Sequence, residues 1–336
     1  MSVFVIAEIG NTHEGSVGLA KCFIKAAAEC GVDAVKFQTH MFEAESLPDA
    51  PNPPYFSGES RKEYFERTAF TLDQYRELKD YAERECGVEF MSSPFSVEAV
   101  DLLEKLGVKS YKIPSGEVTN LLLLEKVAET GKRVLLSSGM STWAELDEAV
   151  NVLTQFGCAD LVVMQCTSMY PCPPEKSGLN LLAEYRERYS LPVGYSDHTM
   201  GIAVPVCAVM AGAVVVEKHF TLSQLMYGSD AKNSTEPEEF RLLVEEIRNA
   251  ALASAGCVDK DAEASGLESM KHIFEKSIVS LCDISQGTVI DGDMLAMKKP
   301  GIGMSAKRLS QVIGARAARD IEKDAILSEA DFVCDG

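Results

Sequence analysis

The fold of this chain is decided by two stretches of sequence, VVVEKHF at residues 214–220 and VGYSDHT at residues 193–199. In each, an apolar run is followed by a histidine, which is typical of a parallel barrel strand whose carboxyl end faces an active site. Because the strands of such a barrel end at one mouth, His198 and His219 are predicted to lie together and to hold a divalent metal. A histidine satisfied inside the core is the alternative, and these residues alone leave both interpretations open.

Short apolar runs of this kind recur along the chain and alternate with longer amphipathic stretches that predict helices. Continuous apolar strands separated by helices are typical of a parallel α/β sheet, and eight of them favour closure into a (β/α)8 TIM barrel. The predicted strands are residues 3–9, 34–39, 89–93, 110–114, 133–138, 161–167, 192–197 and 214–220.

The predicted helices have readable starts, and one connection is unusual. Thr71 with Gln74 and Thr142 with Glu145 have the spacing of capping boxes, and Ser96 is a third N-cap candidate. Residues 41–67, by contrast, carry four prolines and are too long for an ordinary barrel loop. We predict that this excursion is a lid or a dimer contact.

The pattern changes near the C-terminus. A barrel domain is predicted over residues 1–255, closed by a helix over 236–255, and residues 256–276 are predicted to form a linker. Residues 277–336 form a small domain of short strand-like pieces at 277–281, 288–290, 295–297, 316–318 and 326–333. A domain of about 60 residues buries little surface, so it is expected to pack on another surface.

Composition excludes several classes of partner. The net charge of −19 and pI near 4.7 argue against nucleic acid and against an anionic membrane surface, since both require clustered cations. The ten cysteines show no CxxC pair or disulfide-scaffold spacing and are interpreted as reduced core residues. With no visible secretory signal and no spanning apolar run, we expect a soluble, cytoplasmic protein.

Polar side chains gather at the carboxyl ends of the predicted strands, where barrel enzymes place their chemistry. Lys36 and Lys112 stand inside apolar runs, where a lysine needs an anionic partner, and they therefore predict a bound anion. A structural network with Glu8 and Glu117 is the alternative and is left open. Neighbouring serines and glycines fit a phosphate pocket, although the chain contains no Walker loop.

These residues resemble the sialic acid synthases, a family that also includes legionaminate and pseudaminate synthases and spore-coat polysaccharide relatives. The matching barrel motifs are EIG at 8–10 with His13 and Gly15, VKFQ at 35–38, SPF at 93–95, YKIPSGE at 111–117, SGM at 138–140, CTSMYP at 166–171, YSDHT at 195–199, EKHFT at 217–221 and EPEEF at 236–240. The tail resembles the family's antifreeze-like (SAF) domain through KSIV at 276–279, DI at 283–284, KKPGIG at 298–303 and IG at 313–314.

The resemblance implies a reaction in which phosphoenolpyruvate condenses with an amino-sugar aldehyde such as N-acetylmannosamine. A metal bound by His198 and His219, most often Mn²⁺ with Mg²⁺ or Co²⁺ as alternatives, acts as a Lewis acid on the aldehyde oxygen. C3 of the enolpyruvate attacks, and water adds at C2 before phosphate leaves. The family also implies a homodimer in which each C-terminal domain covers the partner's site.

The resemblance further assigns roles to individual residues. The catalytic groups it implies are Glu8, Lys112 and Glu117, with Glu117 handling the proton of the attacking water. The phosphoenolpyruvate contacts it implies are Lys36, Ser93, Lys112, Ser115, Ser137, Ser168, Tyr170 and Ser196. The residues implied to face the sugar or the reacting carbons are Glu8, Gln38, Glu117 and Asp230, with Lys299 as a contact across subunits.

The chain departs from the family mainly in the half that recognises the sugar. The family usually has Asn at Thr12, Asp at Ser223, His at Ala231 and Arg at Lys299, and a lysine lacks the planar fork of arginine. The sugar therefore stays undetermined, with a phosphorylated acceptor or a polysaccharide or spore-coat precursor as alternatives. A non-catalytic sugar-binding barrel is the third hypothesis.

Overall fold

The computed structural model describes residues 2–52, 58–228 and 230–333. The chain divides into two compact units, Met1–Gly256 and Cys257–Gly336, which are described separately. Among the described residues no helix is both long and apolar enough to cross a membrane.

The first unit is a closed barrel of eight parallel strands in sequence order, which confirms the predicted TIM barrel. The last strand pairs with the first, so that Phe4 lies opposite Val215 and Glu8 opposite His219. The strands are β1 (Phe4–Gly10), β2 (Ala34–Thr39), β3 (Glu89–Pro94), β4 (Ser110–Ile113), β5 (Arg133–Ser137), β6 (Leu161–Cys166), β7 (Val193–Asp197) and β8 (Val215–His219).

Helices connect these strands, and the predicted N-caps are confirmed. Thr71 and Thr142 each form a complete capping box, and Ser96 accepts a hydrogen bond from the backbone of Ala99. The helices of this unit are α1 (Val17–Glu29), α2 (Phe42–Glu45), α3 (Arg61–Thr68), α4 (Leu72–Asp80), α5 (Val97–Leu106), α6 (Leu121–Ala128), α7 (Trp143–Gln155), α8 (Leu181–Tyr189), α9 (Ala203–Met210) and α10 (Pro237–Ala255).

The barrel interior is filled below the mouth by one apolar layer. Its buried members are Ile6, Ala34, Met91, Leu135, Val162, Met164 and Val215. A second, larger apolar core lies between the outer faces of the strands and the helices. The next inward positions along the strands are polar, so the apolar layer is the floor of a polar site that faces the carboxyl-end mouth.

The excursion at residues 41–67 contains α2 and most of α3, and its residues 53–57 lie outside the described residues. Arg67 pairs with Glu59 at 2.7 Å and with Glu14 in the β1–α1 connection. The hydroxyl of Tyr227, in the β8–α10 connection, donates to Glu59 at 3.3 Å. These contacts tie the excursion to loops at the mouth, and its role as a lid or a dimer contact stays a prediction.

The second unit holds short antiparallel pairs around a small core that includes Ile278, Ile290 and Val312. Strand β9 (Ser277–Ser280) pairs with β10 (Leu295–Lys298), and β11 (Arg316–Ala317) pairs with β12 (Phe332–Val333). The predicted strand at 288–290 makes one bridge, between Val289 and Arg316. Two short helices, α11 (Lys260–Gly266) and α12 (Glu268–Phe274), lie within the predicted linker, and α13 (Leu309–Val312) follows β10.

Candidate active site

The two predicted lysines lie inside the barrel mouth and share one carboxylate. Lys36 Nζ is 2.7 Å from Glu8 Oε2, 3.1 Å from Ser93 Oγ and 3.8 Å from Glu217 Oε2. Lys112 Nζ donates to Ser137 Oγ at 2.6 Å and lies 3.5 Å from Glu217 Oε1. Glu217, on β8, therefore holds both ammonium groups from one side.

Sequence reasoning missed Glu217 as a site residue and proposed Glu117 as the alternative partner of Lys112. That pairing is wrong, because the carboxylate beside Lys112 belongs to Glu217, whereas the pairing of Lys36 with Glu8 is confirmed. Burial raises the pKa of Glu217, but Lys112 and Lys36 outweigh it and lower the pKa to about 2. The strand period contained the signal, since Glu217 is two residues before His219 and faces the same side of β8.

Ser196 extends this network from β7. Its hydroxyl donates to Glu217 Oε1 at 3.0 Å. The pKa of Lys36 is raised, because Glu217 and Glu8 outweigh the opposing effect of burial. Lys36 is therefore charged, and each of the two lysines is held by a carboxylate and a serine hydroxyl.

Hydroxyls from two further loops meet over Gly139, which follows β5. A Cβ at Gly139 would stand 2.4 Å from Ser115 Oγ and 2.5 Å from Ser168 Oγ, so only glycine leaves both hydroxyls in place. Ser115 Oγ is also 3.8 Å from Cys166 Sγ at the end of β6. This cradle of small side chains from three loops is suited to an oxyanion.

The predicted metal ligands His198 and His219 lie side by side, with ring centroids 5.6 Å apart. Nδ1 of His198 is 2.8 Å from the carbonyl oxygen of Thr167, so this nitrogen carries a proton and Nε2 is the nitrogen that a metal would bind. The ring of Tyr170 covers both, at 4.1 Å from His198 and 5.9 Å from His219. In the described parts of the chain no third His, Cys, Asp or Glu completes a cluster of metal ligands.

The two imidazoles differ in their affinity for a proton. Burial lowers the pKa of His219, while Asp230 and Glu8 oppose this effect. The pKa of His198 is raised, because Cys166 and the Thr167 carbonyl outweigh burial. His219 thus favours the neutral state. A cation between the two rings would take the place of the proton on His198.

A buried ion pair stands directly beside these histidines in the sequence. Lys218 Nζ donates to Asp197 Oδ2 and, at 2.6 Å, to the carbonyl oxygen of Thr199. Lys218 and Asp197 are 3% and 1% exposed. Since Asp197 precedes His198 and Lys218 precedes His219, this pair fixes the ends of β7 and β8 relative to each other.

Three of the four residues predicted to face the sugar or the reacting carbons converge on Gly10, at the end of β1. Gly10 has a φ of +56°, and a Cβ built there would lie 2.9 Å from Asp230 Oδ2, 3.4 Å from Gln38 Nε2 and 3.6 Å from Glu8 Oε1. Gln38 Nε2 donates to Glu8 Oε1 at 2.8 Å. The glycine therefore lets polar groups from β1, β2 and the β8–α10 connection approach one point.

Glu117 lies in the turn that follows β4 and is half-buried. Burial raises its pKa, the hydrogen bond that Asn120 donates at 2.8 Å opposes the rise, and the nearby Glu45 carboxylate adds to it. A carboxyl group with a raised pKa is a better proton acceptor than an ordinary surface glutamate.

Two other residues have different surroundings. His13 stacks on Phe70 at 4.4 Å, and burial lowers its pKa to about 3, so it is a neutral core residue. Lys299 is exposed in the C-terminal unit, with Nζ 5.0 Å from the ring centroid of Phe274. Its predicted role at a partner's site stays a prediction.

Comparisons with known proteins find matches to both parts of the chain. The NeuB family matches residues 23–259, and the SAF domain matches residues 275–333. The N,N'-diacetyllegionaminic acid synthase of Campylobacter jejuni is 37% identical, with 97% of this chain and 98% of that protein aligned. The human N-acetylneuraminate-9-phosphate synthase is 35% identical over 97% of this chain and 91% of its own length.

A solved structure leads to the same family. The N-acetylneuraminic acid (sialic acid) synthetase of Leptospira borgpetersenii superposes with a TM-score of 0.71 at 30% identity, covering 80% of this chain and 91% of that one. With its closed barrel, paired imidazoles and lysine network, this chain belongs to the NeuB family of sialic-acid-type synthases and carries a C-terminal SAF domain.

Proposed function

We propose that this enzyme condenses phosphoenolpyruvate with an unphosphorylated N-acylated amino-sugar aldehyde and releases phosphate, forming a nonulosonate of the sialic acid type. The observation that carries the proposal is the charged layer of the mouth, where buried Lys36 and Lys112 share Glu217 beside the paired imidazoles. In a chain with a net charge of −19, an anionic substrate needs such locally placed cations.

The lysine side of the mouth suits phosphoenolpyruvate. The ammonium groups of Lys36 and Lys112 would bind its phosphate and carboxylate, and serine hydroxyls would complete the contacts. The hydroxyls available are those of Ser93, Ser115, Ser137, Ser168 and Ser196, with the Tyr170 side chain above the imidazoles.

A divalent cation fits the imidazole pair. Nε2 of His198 is free of the Thr167 hydrogen bond, and His219 favours the neutral form that binds metals. When bound there, Mn²⁺, Mg²⁺ or Co²⁺ would polarise the aldehyde oxygen of the acceptor, with water and substrate as further ligands.

The remaining residues orient the acceptor and move the proton. Glu8, Gln38 and Asp230 would hold the sugar at Gly10, so that its aldehyde carbon meets C3 of the enolpyruvate. Glu117, whose pKa burial raises, would accept the proton of the water that adds at C2 before phosphate leaves.

The charge of the sugar side favours an unphosphorylated acceptor. The groups that converge on Gly10 include the carboxylates of Glu8 and Asp230. The guanidinium of Arg67, which reaches this side from the excursion, is already bridged by Glu14 and Glu59. A sugar phosphate would have to displace one of these carboxylates or lie against them.

We also propose a swapped homodimer, in which Lys299 reaches the partner's acceptor side. Helix α12 and the residue before it support this. Leu267, Met270, Ile273 and Phe274 are about half exposed at helical spacing, as expected of a surface that a second copy covers. Sedimentation of the full chain as a monomer would contradict the swap. A cytoplasmic location, where phosphoenolpyruvate is available, completes the proposal.

The test is phosphate release from phosphoenolpyruvate with Mn²⁺ and a panel of acceptors: mannosamine, N-acetylmannosamine, its 6-phosphate and diacetamido hexoses. We expect turnover with an unphosphorylated N-acyl sugar and little with the 6-phosphate. Turnover with the 6-phosphate and little with the unphosphorylated sugars would instead establish a phosphorylated acceptor. If no acceptor gave phosphate release, the synthase proposal would be refuted, and the hypothesis of a non-catalytic sugar-binding barrel would stand. His198→Ala should abolish turnover and metal uptake while the fold persists.

A further inference from the structure

His40, just after β2, has no role in the function proposed above, yet its ring is held on several sides. Its ring lies between Phe65 of α3 and Phe95 after β3, with centroid distances of 3.8 and 3.9 Å and interplanar angles of 8° and 23°. Its side chain is 8% exposed. The two phenyl rings therefore fix the plane of the imidazole.

Both nitrogens of this ring are also engaged. Nδ1 is 2.8 Å from Glu45 Oε1, and Nε2 is 3.1 Å from Gln38 Oε1. The other oxygen of Glu45 accepts from the backbone N–H of Met41 at 3.1 Å, which orients the carboxylate. Together with the bond from Gln38 to Glu8, these contacts form one chain, Glu45–His40–Gln38–Glu8, here called the His40 relay.

The donor and acceptor roles in the His40 relay follow from Glu8, the residue at its end inside the barrel mouth. Glu8 is paired with Lys36 and is an acceptor, so Gln38 must turn its NH₂ group toward it. The amide oxygen of Gln38 then faces His40, whose Nε2 must be the donor. If His40 stopped donating, Glu8 alone would orient the Gln38 amide, and the amide oxygen would lose its hydrogen-bond donor within the His40 relay.

The outer end of the His40 relay belongs to the excursion. Glu45 lies in α2 and Phe65 in α3, so two sides of the imidazole are supplied by residues 41–67. A partly open pocket of about 360 Å³, lined by Phe42, Phe70 and Tyr75 among others, lies beside the imidazole. Among the contacts that hold the excursion, the His40 relay is one that continues into the site.

We infer that His40 is a positioning residue that couples the docked excursion to the orientation of the Gln38 amide, and through it to Glu8 on the acceptor side. This inference rests on the proposed function. The His40 relay reaches Gly10, where the sugar would bind, and makes no contact with the lysine network except through Glu8. Its loss should therefore affect the acceptor more than phosphoenolpyruvate.

The decisive variant is His40→Phe, which keeps an aromatic ring between Phe65 and Phe95 and removes both hydrogen bonds. Glu45→Gln removes the negative charge of the carboxylate and weakens the outer bond, and Glu43→Gln is its matched control. Glu43 lies in the same helix α2, but its side chain is 73% exposed and pairs with Lys62. An exposed pair of this kind contributes little.

The first readout is the kinetics of phosphate release, with each substrate varied while the other is saturating. For His40→Phe we expect kcat/KM for the acceptor to fall about 10- to 100-fold, as for other misplaced orienting groups, with KM for phosphoenolpyruvate within about twofold of wild type. Glu45→Gln should show a smaller loss of the same kind, and Glu43→Gln should match wild type. Wild-type kinetics in His40→Phe, or equal losses for both substrates, would reduce His40 to a packing role.

The second readout does not need turnover, so it separates this inference from the proposed function. Hydrogen–deuterium exchange of the full chain should quicken in α2 and α3 in His40→Phe and Glu45→Gln, and stay unchanged in Glu43→Gln and in the barrel strands. Unchanged exchange in His40→Phe would overturn the coupling to the excursion. Failure of the wild type to release phosphate from any acceptor would refute the proposed function, while the exchange result would still decide the coupling.

Discussion

The buried pair of Lys218 and Asp197 allows a sharp test of how the barrel holds its two imidazoles. We consider Lys218→Met, which keeps the length and apolar stem of the side chain and removes the ammonium group. Asp197 would then keep its hydrogen bonds from Thr199 but lose its counter-ion at a site that is 1% exposed.

Breaking a buried pair on one side destabilises a protein by about 3–5 kcal/mol, because the remaining charge is left without compensation. For a unit of this size, each kcal/mol lowers the melting temperature by about 2–4 °C, so a drop of roughly 6–20 °C is expected. The double variant Asp197→Leu with Lys218→Met removes both charges and should recover most of the loss.

Thermal and urea unfolding of the full chain would measure this effect. Lys126→Met is the matched control, because Lys126 pairs with Asp101 at 2.9 Å but both side chains are at least 37% exposed, and it should change stability by less than about 0.5 kcal/mol. If Lys218→Met stayed within about 1 kcal/mol of wild type, or the double variant were no better than the single one, the argument for a counter-ion would be refuted.

Three further predictions follow from other parts of the molecule. Gly139→Ala should raise KM for phosphoenolpyruvate about tenfold or more, since its Cβ would displace the two serine hydroxyls; an unchanged KM in phosphate-release assays would contradict the cradle. Burial raises the pKa of Asp331, but the Ser328 hydrogen bonds and Arg319 outweigh burial, so the pKa is lowered overall. Its contribution is therefore present above the unfolded pKa of about 3.9 and lost as the pH falls through the lowered pKa of the folded state. The difference in urea midpoint between Asp331→Asn and wild type should be largest at pH 7 and should shrink as the pH is lowered below about 3.9. Thr142→Ala removes a capping box and should lower the free energy of unfolding by about 1 kcal/mol in urea titrations, and no change would mean that the cap is dispensable.

Most of the barrel could be predicted because its local signals agree. Each β strand is a short apolar run closed by a turn, and the predicted bounds, such as residues 34–39, lie within one or two residues of those observed. The second unit was harder, since strands such as β11 and β12 have two residues each, too few for a period to show. Bridges such as Val289 to Arg316 depend on contacts far apart in the chain.

Site residues could be predicted where one stretch of sequence marks them. They could not be predicted where their role depends on contacts between segments that are far apart in the chain. Lys36 and Lys112 are conspicuous because they lie inside apolar runs. His198 and His219 could be predicted to lie together because they stand at the ends of neighbouring strands. Glu217 was missed although the strand period places it on the same side of β8 as His219, because its two lysine partners come from β2 and β4, far away in the chain. Stacking of His40 between Phe65 and Phe95 joins three separate segments, and no spacing in the sequence encodes it.

Closure of the barrel between β1 and β8 has a consequence for how the chain matures on the ribosome. Phe4 is translated before its partner Val215, which follows about 210 residues later. At about 5–20 residues per second, the leading strand waits roughly 10–40 s with one edge unpaired. Nascent chains halted before Val215 should therefore recruit chaperones, and release of that binding should coincide with the appearance of β8 outside the exit tunnel.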